Sequence, residues 1–319
     1  MFEKLAGMIK FGQSRSKTAA HVAAVHLHND YLKLVLLQST GLKVLKVETL
    51  LPGNNDNLQT MLLQLCSELP SGTELCLVLS SDRYQLVQLD KPAVKAEEML
   101  QALPWLVREL TTVPVEDMLL DYLDLPEHTS TQGARINVVV TSKSSLLELC
   151  RALQRKNIQL TNIQPEEWLP RNFIPVQNSA VMLLVHQPGQ ELSLQIIKQG
   201  MLYFSRKLRG FNRIDQYEMT ELRQGMLDNL LLEVQRSLDY FEGQLRQAPV
   251  KEILFQIASP QLPDIVRYFA DNGFSQVGML DLASQMPKLS AAEQQDYWLT
   301  MAGAMELILA GEQANEAQG

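Results

Sequence analysis

The sequence predicts an α/β fold made of two similar halves, on three observations. Strand-like and helix-like segments alternate along the chain. A three-stranded meander pattern occurs twice, once from His21 and again from Ala180. A long amphipathic run, 219–245, follows the second meander. The 319 residues are 46% hydrophobic and 20% charged, enough material for two domains, each with its own core.

In chain order, 1–17 is a short, locally basic amphipathic segment, with Phe2, Leu5, Met8 and Ile9 against Lys4, Lys10, Arg15 and Lys17. It reads either as a weak foot on an anionic surface or as a frayed terminus. His21 to Leu37 divides into strand, turn at Asn29-Asp30, and strand, and the stretch from Leu42 supplies a third. A helix over 58–69 and strands at 74–80 and 84–89 follow. A helix over 96–110 should kink or split at Pro104. Strands at 118–125 and 136–141 flank a polar loop at 127–133, and a helix over 144–156 leads to a short strand near Ile163. A Pro-rich, polar boundary at 166–178 precedes the second meander, at 180–185, 192–197 and 201–206.

In the long run that follows, Met219, Leu222, Met226, Leu230, Val234, Leu238, Phe241 and Leu245 recur three and four apart, widened by Leu227 and Leu231. That spacing predicts one continuous helix with one apolar stripe. A strand at 252–258, a helix at 262–272, an extended piece at 278–282 and a closing helix at 297–309 complete the chain, with 310–319 loose. The predicted organisation is 1–17 as a basic segment, 18–177 as the first half with an inserted subdomain near 90–165, 178–311 as the second half, and 312–319 as a tail.

The net charge of −8 and the lack of a strong basic cluster argue against a nucleic-acid partner. Cys66, Cys76 and Cys150 show neither metal nor redox spacing and read as reduced, mostly buried side chains, which fits a cytoplasmic protein. No segment approaches the ~20 apolar residues of a membrane span, and the start does not read as a signal peptide.

Four strings, taken in order, carry a family resemblance: VPVEDMLLDY at 113–122, TNIQPEEWLPRNF at 161–173, LLEVQRSLDYF at 231–241 and YWLTMAGAMELI at 297–308. With the duplicated meanders, they resemble the PilM-like family of type IV pilus assembly proteins, in its MSHA-type branch, over about 18–311. A more distant resemblance is to the cytoplasmic domain of GspL-type secretion proteins. The resemblance implies a bilobal actin-like (ribonuclease H-like, duplicated) fold. It also implies a cytoplasmic place at the inner-membrane face and a PilN-like platform protein as partner, whose short N-terminal tail is bound. Assembly ATPases and other platform proteins are further implied partners, with peripheral membrane association. Some members of that family bind ATP between the halves.

An actin-like nucleotide site needs turns that offer backbone N–H groups to phosphates, with Asp and Gly at set positions. Against that motif, His26 stands at the Asp position and His28 at the Gly position, followed by Asp30 and a bulky Tyr31. In the second half His186 stands for Asp, Pro188 lacks an N–H, and Gly189 remains. Ala258 and Ser259 replace the glycines of the adenosine turn. The expectation is a degenerate cleft with no catalysis and no cofactor, the alternative being ATP with Mg²⁺. No P-loop, G-x-S-x-G or H-E-x-x-H string occurs. A metal held by His26, His28, His186 and Asp30 would need convergence through a flexible turn, so none is expected.

For a partner peptide, the best candidate surface lies between the 84–89 strand and the 96–110 helix with its following turn. It comprises Arg83, Tyr84, Leu86, Trp105, Leu106, Arg108, Val113 and Val115. Trp105 and Leu106 read equally as core residues. Arg206, Lys207, Arg209 and Arg213 form a second, basic patch, facing an acidic partner or lipid, or simply solvent.

Overall fold

A computed structural model describes residues 19–53, 57–126 and 133–316, with side chains to 311. The basic segment at 1–17 and most of the polar loop at 127–133 lie outside the described residues. The chain divides into two compact units, one of 19–123, 136–172 and 282–316, the other of 124–135 and 173–281.

The first unit is built on a five-stranded sheet of β1 (His21–Leu27), β2 (Leu32–Gln38), β3 (Lys43–Leu50), β4 (Glu74–Leu79) and β8 (Gln159–Pro165), in the order β3-β2-β1-β4-β8. The meander pairs antiparallel, and β1-β4 and β4-β8 are parallel. β4 is buried throughout and β1 from Val22 onward, as in strands covered on both faces. Helices α1 (Leu58–Cys66) and α3 (Lys143–Arg155) pack on each other, α1 also against β2 and β3 and α3 against β8.

The closing helix α6 (Ala291–Glu316) lies across β1, β2 and β4 of this same unit. Residues 282–311, expected in the second half, therefore belong to the first. The reason is a steric match, because a Cβ at Gly303 would press on the Val78 side chain and meet the Ala24 Cβ at 3.2 Å. α6 also starts six residues earlier than its apolar pattern predicts. Ser290 and Glu293 close a capping box, with Glu293 Oε2 accepting from the Ser290 N–H at 2.9 Å and Ser290 Oγ from the Glu293 N–H at 3.3 Å. It runs on to Glu316 through residues expected to be loose.

Inserted in this unit is a three-stranded sheet, β5 (Gln85–Asp90), β7 (Arg135–Ser142) and β6 (Met118–Asp124), in the order β5-β7-β6. Helix α2 (Ala96–Val107) covers one face, where Met99, Leu103 and Val107 meet Ile136, Val138 and Val140. α2 carries Pro104 without splitting. The insertion in this unit thus spans 85–123 and 136–142, and the residues up to 165 that were expected in it build α3 and β8, β8 in the main sheet.

The second unit repeats the first arrangement. β9 (Val181–His186), β10 (Leu192–Lys198), β11 (Met201–Leu208), β12 (Glu252–Ile257) and β13 (Val277–Met279) take the order β11-β10-β9-β12-β13, with the same senses of pairing. The repeat extends to a detail, since the meander register shifts at Leu36/Leu37 in one sheet and at Ile196/Ile197, the same strand position, in the other. Helix α5 (Leu262–Asp271) packs on β12 and β13.

The 219–245 run is not one continuous α-helix. It consists of a single turn at Met219–Glu221, a π-helical stretch Leu222–Met226, α4 (Leu227–Asp239) and a second π-helical stretch Tyr240–Gln244. Gly225 takes φ +106° inside the first, a value that a residue with a Cβ rarely adopts. The fully buried positions are Leu222, Leu227, Leu230, Val234 and Phe241. The step of five from Leu222 to Leu227 is the extra residue of the π turn. The stripe thereby passes to Leu227, and Met226 and Leu238 are left half-buried.

Candidate functional site

The carboxyl ends of parallel strands are where open α/β sheets place ligands. In the first unit these ends are those of β1, β4 and β8, and side chains fill them. His26 donates from Nε2 to Glu166 Oε2 at 2.9 Å, and both are buried. Glu166 Oε1 also accepts the Ser81 N–H at 2.8 Å. Ser80, fully buried, donates both its N–H and its Oγ to the Leu27 carbonyl, at 3.2 and 2.6 Å, and its Oγ also contacts Asp82. Arg83 adds Nε to the same carbonyl at 3.2 Å and reaches Asn29 Oδ1 at 2.9 Å.

The hairpin turn is closed in the same way. The His28 N–H donates to the Tyr31 carbonyl at 3.0 Å, and the Asp30 N–H donates to His28 Nδ1 at 3.1 Å. Tyr31 stacks on the His28 ring, with centroids 4.4 Å apart, and meets the His26 ring edge-on at 5.6 Å. Burial first, then the charge of Glu166, pushes the Tyr31 phenol far above its ordinary range. The Lys33 ammonium sits 4.4 Å from the Tyr31 ring centre and bonds Asp296. His26 and His28 therefore have separate partners rather than a common ligand.

In the second unit His186 occupies the strand position that His26 holds in the first, paired with Ile257 as His26 is with Val78. It is fully buried, its Nε2 lies 3.2 Å from the Asn212 carbonyl, and Asp215 is 3.8 Å away. Burial is the main influence and lowers its pKa. Pro188 and Gly189 form a type II turn, with Gly189 at φ +78° and the Gln190 N–H donating to the Gln187 carbonyl at 3.0 Å. After β12, beyond Ala258, the Ser259 N–H donates to the Ile257 carbonyl at 2.8 Å and Ser259 Oγ accepts from the Gln261 N–H at 3.1 Å. That turn leads into α5.

The proposed partner surface separates into two groups. Tyr84 is buried, Val113 packs into the core of the three-stranded sheet, and Arg83 holds the β1–β2 turn. Of these three only Tyr84 is withdrawn from the surface, and Arg83 and Val113 are half-buried. Leu86 and Val115 are half-buried. Trp105 and Leu106 are not core residues. They are 63% and 46% exposed, and Leu110, which the sequence reading did not single out, is 57% exposed. Arg108 and Glu109 form an exposed ion pair beside them, 3.1 Å apart. Three large apolar side chains are thus exposed within six residues.

No protein-family model matches the chain, and no curated protein matches it in sequence. Among solved structures, a PilM-PilN type IV pilus biogenesis complex is similar over 93% of this chain and 99% of that one, at 14% identity and a TM-score of 0.60. A Bacteroides thetaiotaomicron protein with an actin-like ATPase fold and unknown function matches over 91% of this chain and 99% of its own, at 13% identity and a TM-score of 0.50. The chain has the actin-like fold. The cytoplasmic domain of EpsL, an inner membrane component of the type II secretion system of Vibrio cholerae, is also similar, at 12% identity and a TM-score of 0.49 over 88% of this chain and 94% of that one.

At the β1–β2 turn and just after β4, four backbone donors already have partners. The N–H groups of His28, Asp30, Ser80 and Ser81 all donate within the protein. The residue that organises this knot, Glu166, was missed in the sequence because its partner His26 is 140 positions away. Among the described residues no group of three His, Cys, Asp or Glu side chains is placed to hold a metal ion, and no helix is long and apolar enough to cross a membrane.

Proposed function

We propose that the chain is a non-catalytic adaptor of the PilM-like kind, in the inner-membrane platform of an MSHA-like type IV pilus, in the manner of MshI. It docks the cytoplasmic N-terminal tail of a PilN-like platform protein and lies at the cytoplasmic face of that membrane. The observation that carries this reading is the exposed Trp105, Leu106 and Leu110 face on the inserted subdomain. Its likeness over nearly the whole chain to a protein of a PilM-PilN complex supports the choice of partner. The knot around Glu166 supports the absence of catalysis, because a phosphate would have to displace a buried, hydrogen-bonded pair.

The mechanism is positional. An amphipathic tail would lay apolar side chains on Trp105 and its neighbours, and the adaptor would hold the platform in register with separate assembly motors. Calorimetry with the tail peptide of a PilN-like protein tests this. Saturable binding that is lost in Trp105→Ala supports it, and no binding at ~100 μM counts against it.

The alternative is an actin-like protein that binds ATP with Mg²⁺ and regulates pilus assembly. It is favoured by the fold. Titration with ATP and Mg²⁺ separates the two, since micromolar affinity would establish the alternative.

A further inference from the structure

The second unit has a groove of its own, of about 920 Å³, which the adaptor reading does not use. One wall is the end of β11 and the turn after it, Arg206 to Phe211. The other is the π-helical stretch and α4, including Gly225, Leu232, Glu233 and Arg236. Three features set it apart from ordinary surface.

The first is charge. Arg206, Lys207, Arg209 and Arg236 line it against Glu221 and Glu233, an excess of two positive charges in a chain whose net charge is −8. Both acidic groups are already committed. Glu233 takes Arg206 on one carboxylate oxygen and Arg236 on the other, each at 2.6 Å, and Glu221 accepts the Glu218 N–H at 2.9 Å in the helix cap. Glu233 thus holds two guanidinium groups in place and offsets one of their two charges.

The second is the strand edge. β11 is the outer strand of its sheet and pairs only with β10 among the described residues. Such an edge is a template for another strand unless something blocks it. The third is an apolar contact point, since Leu232 is 48% exposed in the groove lining. The wall beside it is locally open, for a Cβ added at Gly225 would meet nothing within 4 Å.

We infer that this groove docks an extended acidic segment of a partner protein, laid along the 206–208 end of β11, with an apolar side chain on Leu232. Charge complementarity selects a segment rich in Asp and Glu. A concave groove beside a strand edge suits an extended chain better than a flat bilayer. Four cations with the half-buried Tyr217 and the buried Phe211 make a poor match for nucleic acid, which needs a longer basic track with stacking platforms.

The test is fluorescence anisotropy on the full chain, with a labelled peptide of about ten residues alternating Asp or Glu with Val or Leu. A matched peptide with Lys for every acid, and vesicles of phosphatidylglycerol, are measured alongside. Saturable binding of the acidic peptide below ~100 μM is expected, weakened at least about tenfold by Arg209→Glu and separately by Leu232→Asp. Both positions are exposed, and an unchanged melting midpoint would show that the variants fold. Trp105→Ala should leave this binding intact, so its result is separable from that of the adaptor reading. The inference is overturned if the acidic peptide does not bind, if the two variants bind it as the parent does, or if the Lys peptide binds equally well. Stronger association with the vesicles than with the peptide would also overturn it and assign the patch to lipid.

Discussion

Replacing Glu166 with alanine removes the centre of the knot at the ends of β1, β4 and β8. The carboxylate accepts two hydrogen bonds, from His26 Nε2 at 2.9 Å and from the Ser81 N–H at 2.8 Å, and both Glu166 and His26 are buried. The variant leaves one ring N–H and one backbone N–H without their acceptor, each costing about 1–3 kcal/mol when buried. Together the two losses cost roughly 2–6 kcal/mol. Taking about 3 kcal/mol and a unit of this size, the melting midpoint of the first unit should fall by roughly 6–12 °C. Glu166→Gln keeps the volume and one acceptor and should lose about half as much. The control is Glu148→Ala, at an exposed mid-helix position of α3, where little change is expected. Calorimetric scanning resolves the two units if they melt separately. A fall of less than about 2 °C for Glu166→Ala, matching the control, would refute the argument that this pair locks the turn.

Further predictions follow the same reasoning. Gly303→Ala should destabilise the first unit by about 1–3 kcal/mol in chemical unfolding, despite the better helix propensity of alanine, because the added methyl meets Val78 and Ala24. In the second unit Phe241→Ala should cost about 3–5 kcal/mol and the half-buried Leu238→Ala roughly 1 kcal/mol, an ordering that unfolding curves check directly. His186 has its pKa lowered by burial, so the unfolded chain binds the extra proton first. Its contribution to stability is therefore present above about pH 6.5 and is lost as pH falls below it. Melting midpoints measured from neutral pH downward should fall more steeply for the parent than for His186→Gln. Trp105→Ala should leave stability within about 0.5 kcal/mol while weakening tail binding by about 2 kcal/mol, or about thirtyfold.

Much of the architecture was legible because it rests on local pattern. Continuous apolar runs such as HVAAVHL and VMLLVH mark strands buried on both faces, and their repetition marks the duplication. The break in the long helix was also written in its residues. Leu227 looked like a widening of the stripe, whereas with Gly225 two positions before it, the widening is a change of register. Trp105 could have been placed by the same reasoning. Met99, Leu103 and Val107, four apart, define the buried face of α2, and Trp105 falls outside it. The Ser290–Glu293 capping box gave the true start of α6.

The return of α6 to the first unit was not legible. It depends on a close approach at Gly303 to strands more than 200 residues earlier, which no periodicity reports. The same holds for Glu166. TNIQPEEWLP shows two adjacent acids, and only the three-dimensional pairing of β4 with β8 tells which of them meets His26. The 84–89 strand places Arg83 and Tyr84 beside the expected groove, yet Tyr84 is buried and Arg83 bonds the β1–β2 turn.

The adaptor reading is tested most directly by isothermal titration of the full chain with the N-terminal tail peptide of a PilN-like platform protein, for the parent and for Trp105→Ala. The account predicts one-site binding below ~100 μM for the parent and loss of that binding in the variant, with no heat from ATP and Mg²⁺. A parent that ignores the peptide but binds ATP with micromolar affinity would contradict it.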